Sequence, residues 1–138
     1  MELDSILIID DDSDVLLIQS LAFSRFLDCT VHTATSGPMG IRLAAELQPD
    51  VILVDAMMLG MDGYETCLRL KRDDATRAIP VIFLSAREGE QEHKRAIACG
   101  AVGFITKEAD PIVLGNRLLA IVAGLRTKSG EDNATIRT

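Results

Sequence analysis

Five polar residues follow short apolar segments of the sequence, each at a point where a buried strand would end. They are Asp10 and Asp11 after ILII, Asp55 after VILV, Ser85 after VIFL, and Lys107 after VGFIT. Ligands of open parallel α/β sheets bind outside the carboxyl ends of the strands, near the point where the strand order reverses. The shared position therefore predicts a single pocket that contains carboxylate, hydroxyl and ammonium groups.

The three acids of this set, Asp10, Asp11 and Asp55, predict a cation site. Two like charges about 4 Å apart repel each other by about 4 kcal/mol at an effective dielectric constant of about 20. A divalent cation relieves this repulsion. Mg²⁺ suits two or three carboxylate ligands, because it keeps several waters and also takes phosphate oxygens. We therefore expect Mg²⁺ as the cofactor.

Ser85 and Lys107 each have an ordinary structural interpretation, as the cap of the fourth helix and as a surface lysine. Their joint position opposite the acids favours a phosphate site, because a phosphate beside Mg²⁺ also needs cationic and hydroxyl donors. Asp12 and Asp14 are better interpreted as solvated residues or caps of the first helical turn.

Two other kinds of acidic motif are similar to this acidic segment. A calcium-binding EF-hand loop needs Gly and Glu where this chain has Val15 and Leu21, so that interpretation fails. The acids also resemble the paired aspartates of haloacid-dehalogenase-like phosphatases, although Asp14 stands where that family has Thr or Val. A small Mg²⁺-dependent phosphatase therefore stays as a rival hypothesis.

Alternating strand and helix patterns predict five βα units, and hence an α/β fold with a parallel sheet. The strands are expected near residues 5–10, 29–34, 51–55, 80–84 and 102–106. The first helix carries Val15, Ile18, Ala22 and Phe26 on one face. The other helices are expected from Ser36 to Pro49, from Gly63 to Arg72, from Gly89 to Cys99 and from Asp110 to Leu125.

Length and composition predict a single domain over residues 1–126, followed by a polar tail or the start of a linker at residues 127–138. The net charge of −7 disfavours direct binding to nucleic acid. The sequence has neither a signal-peptide pattern nor an apolar stretch long enough to span a bilayer, so we expect a cytoplasmic location. Three widely spaced cysteines are expected to be reduced.

These motifs resemble the receiver domain of bacterial two-component response regulators from about Asp4 to Leu125. IIDDD resembles the family's acidic pair, VDAMMLGMDG its phospho-acceptor segment, LSA its hydroxyl position, and GFITK its lysine position with the switch aromatic Phe104. The segment CLRLKRDDATRAIPVIFLSA is especially similar to receivers joined to cyclic-dinucleotide-making domains.

The resemblance implies a single doubly wound (βα)5 flavodoxin-like domain with strand order 2-1-3-4-5. It implies a signalling switch rather than a conventional enzyme. Asp55 would accept a phosphoryl group from a sensor histidine kinase or phosphotransfer protein, through self-catalysed transfer and with autodephosphorylation. Lys107 and Ser85 would bind the phosphoryl oxygens. Asp10, Asp11, Asp55 and the Met57 carbonyl would hold Mg²⁺.

The resemblance also implies that Ser85 and Phe104 form the switch, with helix 4, strand 5 and helix 5 as the surface for homodimerisation or an output partner. The sequence departs from the family at Leu59 and Glu108, where proline is usual. Because a cis bond before a residue other than proline costs about 2.5–4 kcal/mol, we predict a trans Lys107–Glu108 peptide. A pseudo-receiver that binds partners without phosphorylation is the remaining alternative.

Overall fold

The computed structural model describes residues 3–86, 89–107 and 110–134; for residue 111 and residues 126–134 it describes the backbone alone. In these ranges one parallel sheet has the strand order β2-β1-β3-β4-β5. Its strands are β1 (Ser5–Ile9), β2 (Thr30–Ala34), β3 (Val51–Asp55), β4 (Val81–Ser85) and β5 (Gly103–Thr106). The predicted fold class and strand order are confirmed.

The strands are apolar on both faces because helices cover both faces of the sheet. Successive side chains of a strand point to opposite faces, so neighbouring residues enter different cores. Val54 and Phe83 pack in one core with residues of α2 (Gly37–Leu47), α3 (Gly63–Arg72) and α4 (Glu90–Ala98). Leu53 and Ile82 pack in the other with residues of α1 (Ser13–Leu27) and α5 (Pro111–Ala134).

Side-chain caps help to fix the starts of α1, α2 and α3. Asp12 accepts hydrogen bonds from the N–H groups of Asp14 and Val15 at the start of α1. Ser36 and Asp62 cap α2 and α3 in the same way. These caps satisfy backbone donors that have no partner within the helix. The prediction that Asp12 belongs to the first helical turn, outside the cation site, agrees with this arrangement.

The face of α1 that carries Val15, Ile18, Ala22 and Phe26 is not the face that enters the core. Leu16, Gln19 and Phe23 are the buried residues of this helix, whereas Ile18 and Phe26 are exposed. The reason is that α1 carries apolar residues on both sides, and a polar residue, Gln19, lies on the buried side. A periodicity of apolar residues alone could not distinguish the two sides.

The helical spacing of Leu114 and Leu118 predicts that both face the sheet, and both are buried against it. The sequence also predicts a second apolar stripe on α5, and two of its residues, Ile112 and Leu119, are exposed. The helix continues to Ala134 rather than ending near Leu125. Among the described residues, no helix combines the length and apolar character needed to cross a bilayer.

Candidate functional site

The three acids meet at the carboxyl edge of the sheet. Asp10 follows the last residue of β1 and Asp55 ends β3, and the two strands are paired neighbours. One carboxylate oxygen from each of Asp10, Asp11 and Asp55 lies within 4.8 Å of the others. Asp10 and Asp55 are only 1% and 7% exposed, whereas Asp11 is exposed. The site is therefore a buried pair of acids with a third acid at its opening.

Lys107 supplies the positive charge of the site. Its Nζ atom lies 2.6 Å from Asp10 Oδ2 and 3.4 Å from Asp55 Oδ2. Its backbone N–H donates to the carbonyl of Ser85 at 2.6 Å, which extends the pairing of β4 with β5 by one residue. The sheet itself therefore places the ammonium group opposite the acids.

Burial and neighbouring charges shift the pKa values of Asp55 and Lys107. Burial raises the pKa of Asp55, and the nearby charge of Asp10 raises it further; Lys107 and the Met57 N–H act in the opposite direction. Burial alone would lower the pKa of Lys107. The hydrogen bond with Asp10 and the charge of Asp55 outweigh this effect, so the pKa of Lys107 is raised. The ammonium group therefore stays protonated while it faces the acids.

Ser85 is buried at the end of β4, beside a cavity of about 420 Å³ between α3 and α4. The cavity is also lined by Met57, Tyr64, Gln91, Glu92, Lys94 and Arg95. Phe104 is half-buried on β5, where its ring contacts His93 of α4. The serine and the aromatic residue thus lie on neighbouring strands at the side of the sheet that faces α4.

Two backbone positions, Leu59 in the loop after β3 and Gly63 at the start of α3, belong to the site although the sequence patterns do not indicate them. A side chain at Gly63 would collide with the backbone carbonyl of Asp55, so only glycine allows α3 to start this close to the acid. The N–H of Leu59 donates to Asp11 Oδ2 at 2.9 Å. Both contacts involve backbone atoms, and no pattern of side-chain types indicates them.

The donor set fits Mg²⁺. All the candidate side-chain ligands are carboxylates, which suit a hard cation. Burial and the charge of Asp10 raise the pKa of Asp55, and a bound cation would oppose both effects. Met57 lies in the adjoining loop, with its N–H 3.4 Å from Asp55 Oδ1.

The trans Lys107–Glu108 bond stays a prediction, because Glu108 lies outside the described residues.

Solved structures with this fold include a chemotaxis protein CheY4 from Vibrio cholerae, with a TM-score of 0.81. It is 23% identical and covers 86% of this chain and 98% of its own. A response regulator structure from Chloroflexus aurantiacus has a TM-score of 0.79 at 28% identity, over 87% and 98% of the two chains.

Curated relatives include response regulator PleD from Caulobacter vibrioides, which is 37% identical over 84% of this chain and 25% of its own length. The transcriptional regulatory protein AfsQ1 from Streptomyces coelicolor is 34% identical over 86% and 51%. This chain therefore spans from a quarter to about half of these relatives. The family model described as the response regulator receiver domain matches residues 6–119. The chain belongs to the response regulator receiver domain family.

Proposed function

We propose that this chain is a phosphorelay switch in which Asp55 accepts a phosphoryl group from a sensor histidine kinase or a phosphotransfer protein. The observation that carries the proposal is the position of the Asp55 carboxylate. It lies at the sheet edge among two other acids and 3.4 Å from the ammonium group of Lys107. A buried carboxylate with a fixed cation beside it is suited to act as a nucleophile on an anionic group.

In the proposed transfer, an Asp55 oxygen forms a bond to phosphorus while the bond from phosphorus to the donor's imidazole nitrogen breaks. The electron pair leaves with the imidazole. Phosphoryl transfer depends mainly on in-line positioning and on neutralising the charge of a loose transition state. Lys107 and the Ser85 hydroxyl would bind phosphoryl oxygens. Bound Mg²⁺, held by Asp10, Asp11, Asp55 and the Met57 carbonyl, would supply further positive charge.

The proposed output is a change in the surface formed by α4, β5 and α5. Binding of the Ser85 hydroxyl to the phosphoryl group would draw the start of the β4–α4 loop towards Asp55. Phe104 would then move on the neighbouring strand, and the equilibrium between two conformations would shift. The structure supports this proposal by its placement of Ser85 and Phe104 on adjacent, hydrogen-bonded strands.

The proposed setting is a cytoplasmic two-component pathway, without direct contact of this chain with nucleic acid or membrane. Its net charge of −7 supports the expectation about nucleic acid. The AfsQ1 relative is named a transcriptional regulatory protein. Because this chain spans only part of that relative, we do not extend that activity to it.

The test is labelling with acetyl phosphate and Mg²⁺, followed by intact mass measurement. We expect the addition of one phosphoryl group, its loss in Asp55→Asn, and its retention in Asp74→Asn, a control at an exposed acid paired with Arg77. Labelling that persists in Asp55→Asn would refute the assignment. A chain that no donor labels would be a pseudo-receiver, and repeated hydrolysis of an external phosphoester would indicate a phosphatase.

A further inference from the structure

A backbone hydrogen bond connects the loop after β3 to the exposed acid of the cation site. The Leu59 N–H donates to Asp11 Oδ2 at 2.9 Å, across 48 residues of sequence. The Leu59 side chain is 91% exposed, so the amide, rather than the side chain, fixes this part of the loop to the site. The contact therefore depends on a donor that every residue except proline has.

Asp11 needs such a contact more than the other two acids. Asp10 is buried, accepts a hydrogen bond from the Asp12 N–H at 3.0 Å, and is paired with Lys107. Asp55 is buried and also close to Lys107. Asp11 is exposed, and an exposed side chain moves among rotamers unless a partner holds it. The Leu59 N–H restricts this motion.

We propose that the Leu59 N–H is a positioning group for the cation site, an inference that rests on the proposed function. A carboxylate has two oxygens, so a donor on Oδ2 leaves Oδ1 of Asp11 for a cation. The hydrogen bond holds Asp11 near Asp10 and Asp55 before the cation arrives. Less motion is then lost when the cation binds. Cation binding and the conformation of the loop are therefore coupled.

The shape of the loop supports this role. Gly60 follows Leu59 with a φ of +73°, in the left-handed region that favours glycine. A Cβ atom at Gly60 would meet no other atom within 4 Å, so the conformation rather than lack of space calls for glycine. The left-handed conformation of Gly60 therefore allows the turn that directs the Leu59 N–H towards Asp11. Thermodynamic linkage is reciprocal. If this loop conformation strengthens cation binding, the bound cation must in turn stabilise this loop conformation.

The first experiment compares Leu59→Pro with Leu59→Ala in the full chain. Proline removes the N–H, whereas alanine removes the exposed side chain and keeps the N–H. Mg²⁺ is titrated without any phosphodonor and followed by the NMR signals of the Ala56 and Met57 amides. We expect the dissociation constant to rise at least threefold in Leu59→Pro and to stay within twofold of the parent in Leu59→Ala. An equal or lower constant in Leu59→Pro would overturn the inference.

A second measurement uses only the parent chain, so it does not require the proline variant to fold. Hydrogen exchange of the Leu59 amide is measured in the parent chain with and without saturating Mg²⁺, with Ca²⁺-free buffers. We expect Mg²⁺ to slow this exchange several-fold, since the coupling acts in both directions. Unchanged exchange would refute the coupling.

The result can be separated from that of the proposed function. If acetyl phosphate labels Asp55 while Leu59→Pro binds Mg²⁺ as tightly as the parent, the positioning role fails and the phosphorelay function stands. If Mg²⁺ binding depends on the Leu59 N–H while no donor labels Asp55, the positioning role stands and the phosphorelay function fails. A parent chain that binds no Mg²⁺ at millimolar concentrations would refute the positioning role directly.

Discussion

The imidazole ring of His93 lies against the phenyl ring of Phe104, with 4.4 Å between their centroids and 32° between their planes. His93 is on α4 and Phe104 is on β5, so the contact joins two elements of the proposed output surface. Aromatic pairs contribute about 0.5–1.5 kcal/mol beyond the burial of their area. The contact therefore opposes any movement of Phe104 that separates the rings.

Replacing His93 by leucine should make the proposed switch easier. We expect the fraction of molecules with Phe104 in its moved position to rise about two- to tenfold, which corresponds to loss of one aromatic contact. The measurement is fluorine NMR of fluorophenylalanine in the unphosphorylated chain. His93→Phe keeps a ring and serves as the control. Equal fractions in the leucine variant and the parent would show that the contact does not restrain Phe104.

Replacing Lys107 by methionine should destabilise the chain in the absence of Mg²⁺. The change leaves Asp10 and Asp55 close together without their cation, and breaking a partly buried pair in this way costs about 1–3 kcal/mol. Urea unfolding measures this loss, and we expect added Mg²⁺ to recover part of it. Lys94→Met, at an exposed lysine 4.0 Å from Glu90, should change stability little. Equal stability of both variants would contradict the prediction.

The outward side of α1 should contact the phosphodonor protein. Leu17, Ile18 and Leu21 are exposed there, on the helix that starts directly after the acidic pair. Grouped apolar side chains near a site often mark an interaction surface. We expect Ile18→Glu to slow transfer from a histidine kinase about fivefold or more while labelling by acetyl phosphate stays unchanged.

The matched control for this surface is Phe26→Glu, because Phe26 is also exposed on α1 but lies about 12 Å further along the helix. A smaller effect is expected for this variant. If both variants accept phosphoryl groups from the kinase at the parent rate, the donor does not use this side of α1.

The exposed stripe of α5 should take part in dimerisation that phosphorylation strengthens. Ile112 and Leu119 are exposed on α5, on the proposed output face. We expect sedimentation of the parent chain with a phosphate mimic to show a dimer, and Leu119→Glu to prevent it. Leu17→Glu, on α1, should leave the dimer intact. Monomers under every condition would exclude the dimer and leave the stripe for another partner or for none.

The buried thiol of Cys67 should react slowly with alkylating reagents. Burial raises the pKa of Cys67 from 9.0 to about 12, and its thiol donates to the Cys99 carbonyl. Because the thiolate is the reactive form, we expect iodoacetamide at pH 9 to modify Cys29 well before Cys67, as measured by peptide mass spectrometry. The same shift makes folding less favourable as pH rises from 9 towards 12, since the unfolded chain loses the proton first. Equal reaction rates would contradict the assignment.

The strands and their polar ends could be predicted because both are local features of the sequence. Val51–Asp55 and Val81–Ser85 each combine an apolar run with a polar last residue. Because the carboxyl ends of parallel strands lie at one edge of the sheet, the strand pairing places Asp10, Asp55, Ser85 and Lys107 at that edge. The order of the strands came from the family resemblance rather than from these patterns.

Other features depend on the folded backbone and could not be predicted. The hydrogen bond from Leu59 to Asp11 requires a particular loop conformation. The contact between the tilted rings of His93 and Phe104 depends on how α4 lies against β5. The buried side of α1 could not be identified from the sequence because its apolar residues occupy both sides, and packing against α5 and the sheet decides between them.

Because α5 continues to Ala134, a small tilt at the start of this helix produces a large displacement at its end. Its 24 residues extend over about 36 Å at 1.5 Å per residue. A tilt of only about 10° at its first turn, next to β5, would move its far end by about 6 Å, which is slightly more than one helical turn. A displacement too small to alter the packing around Leu114 would thus become a large one at Ala134.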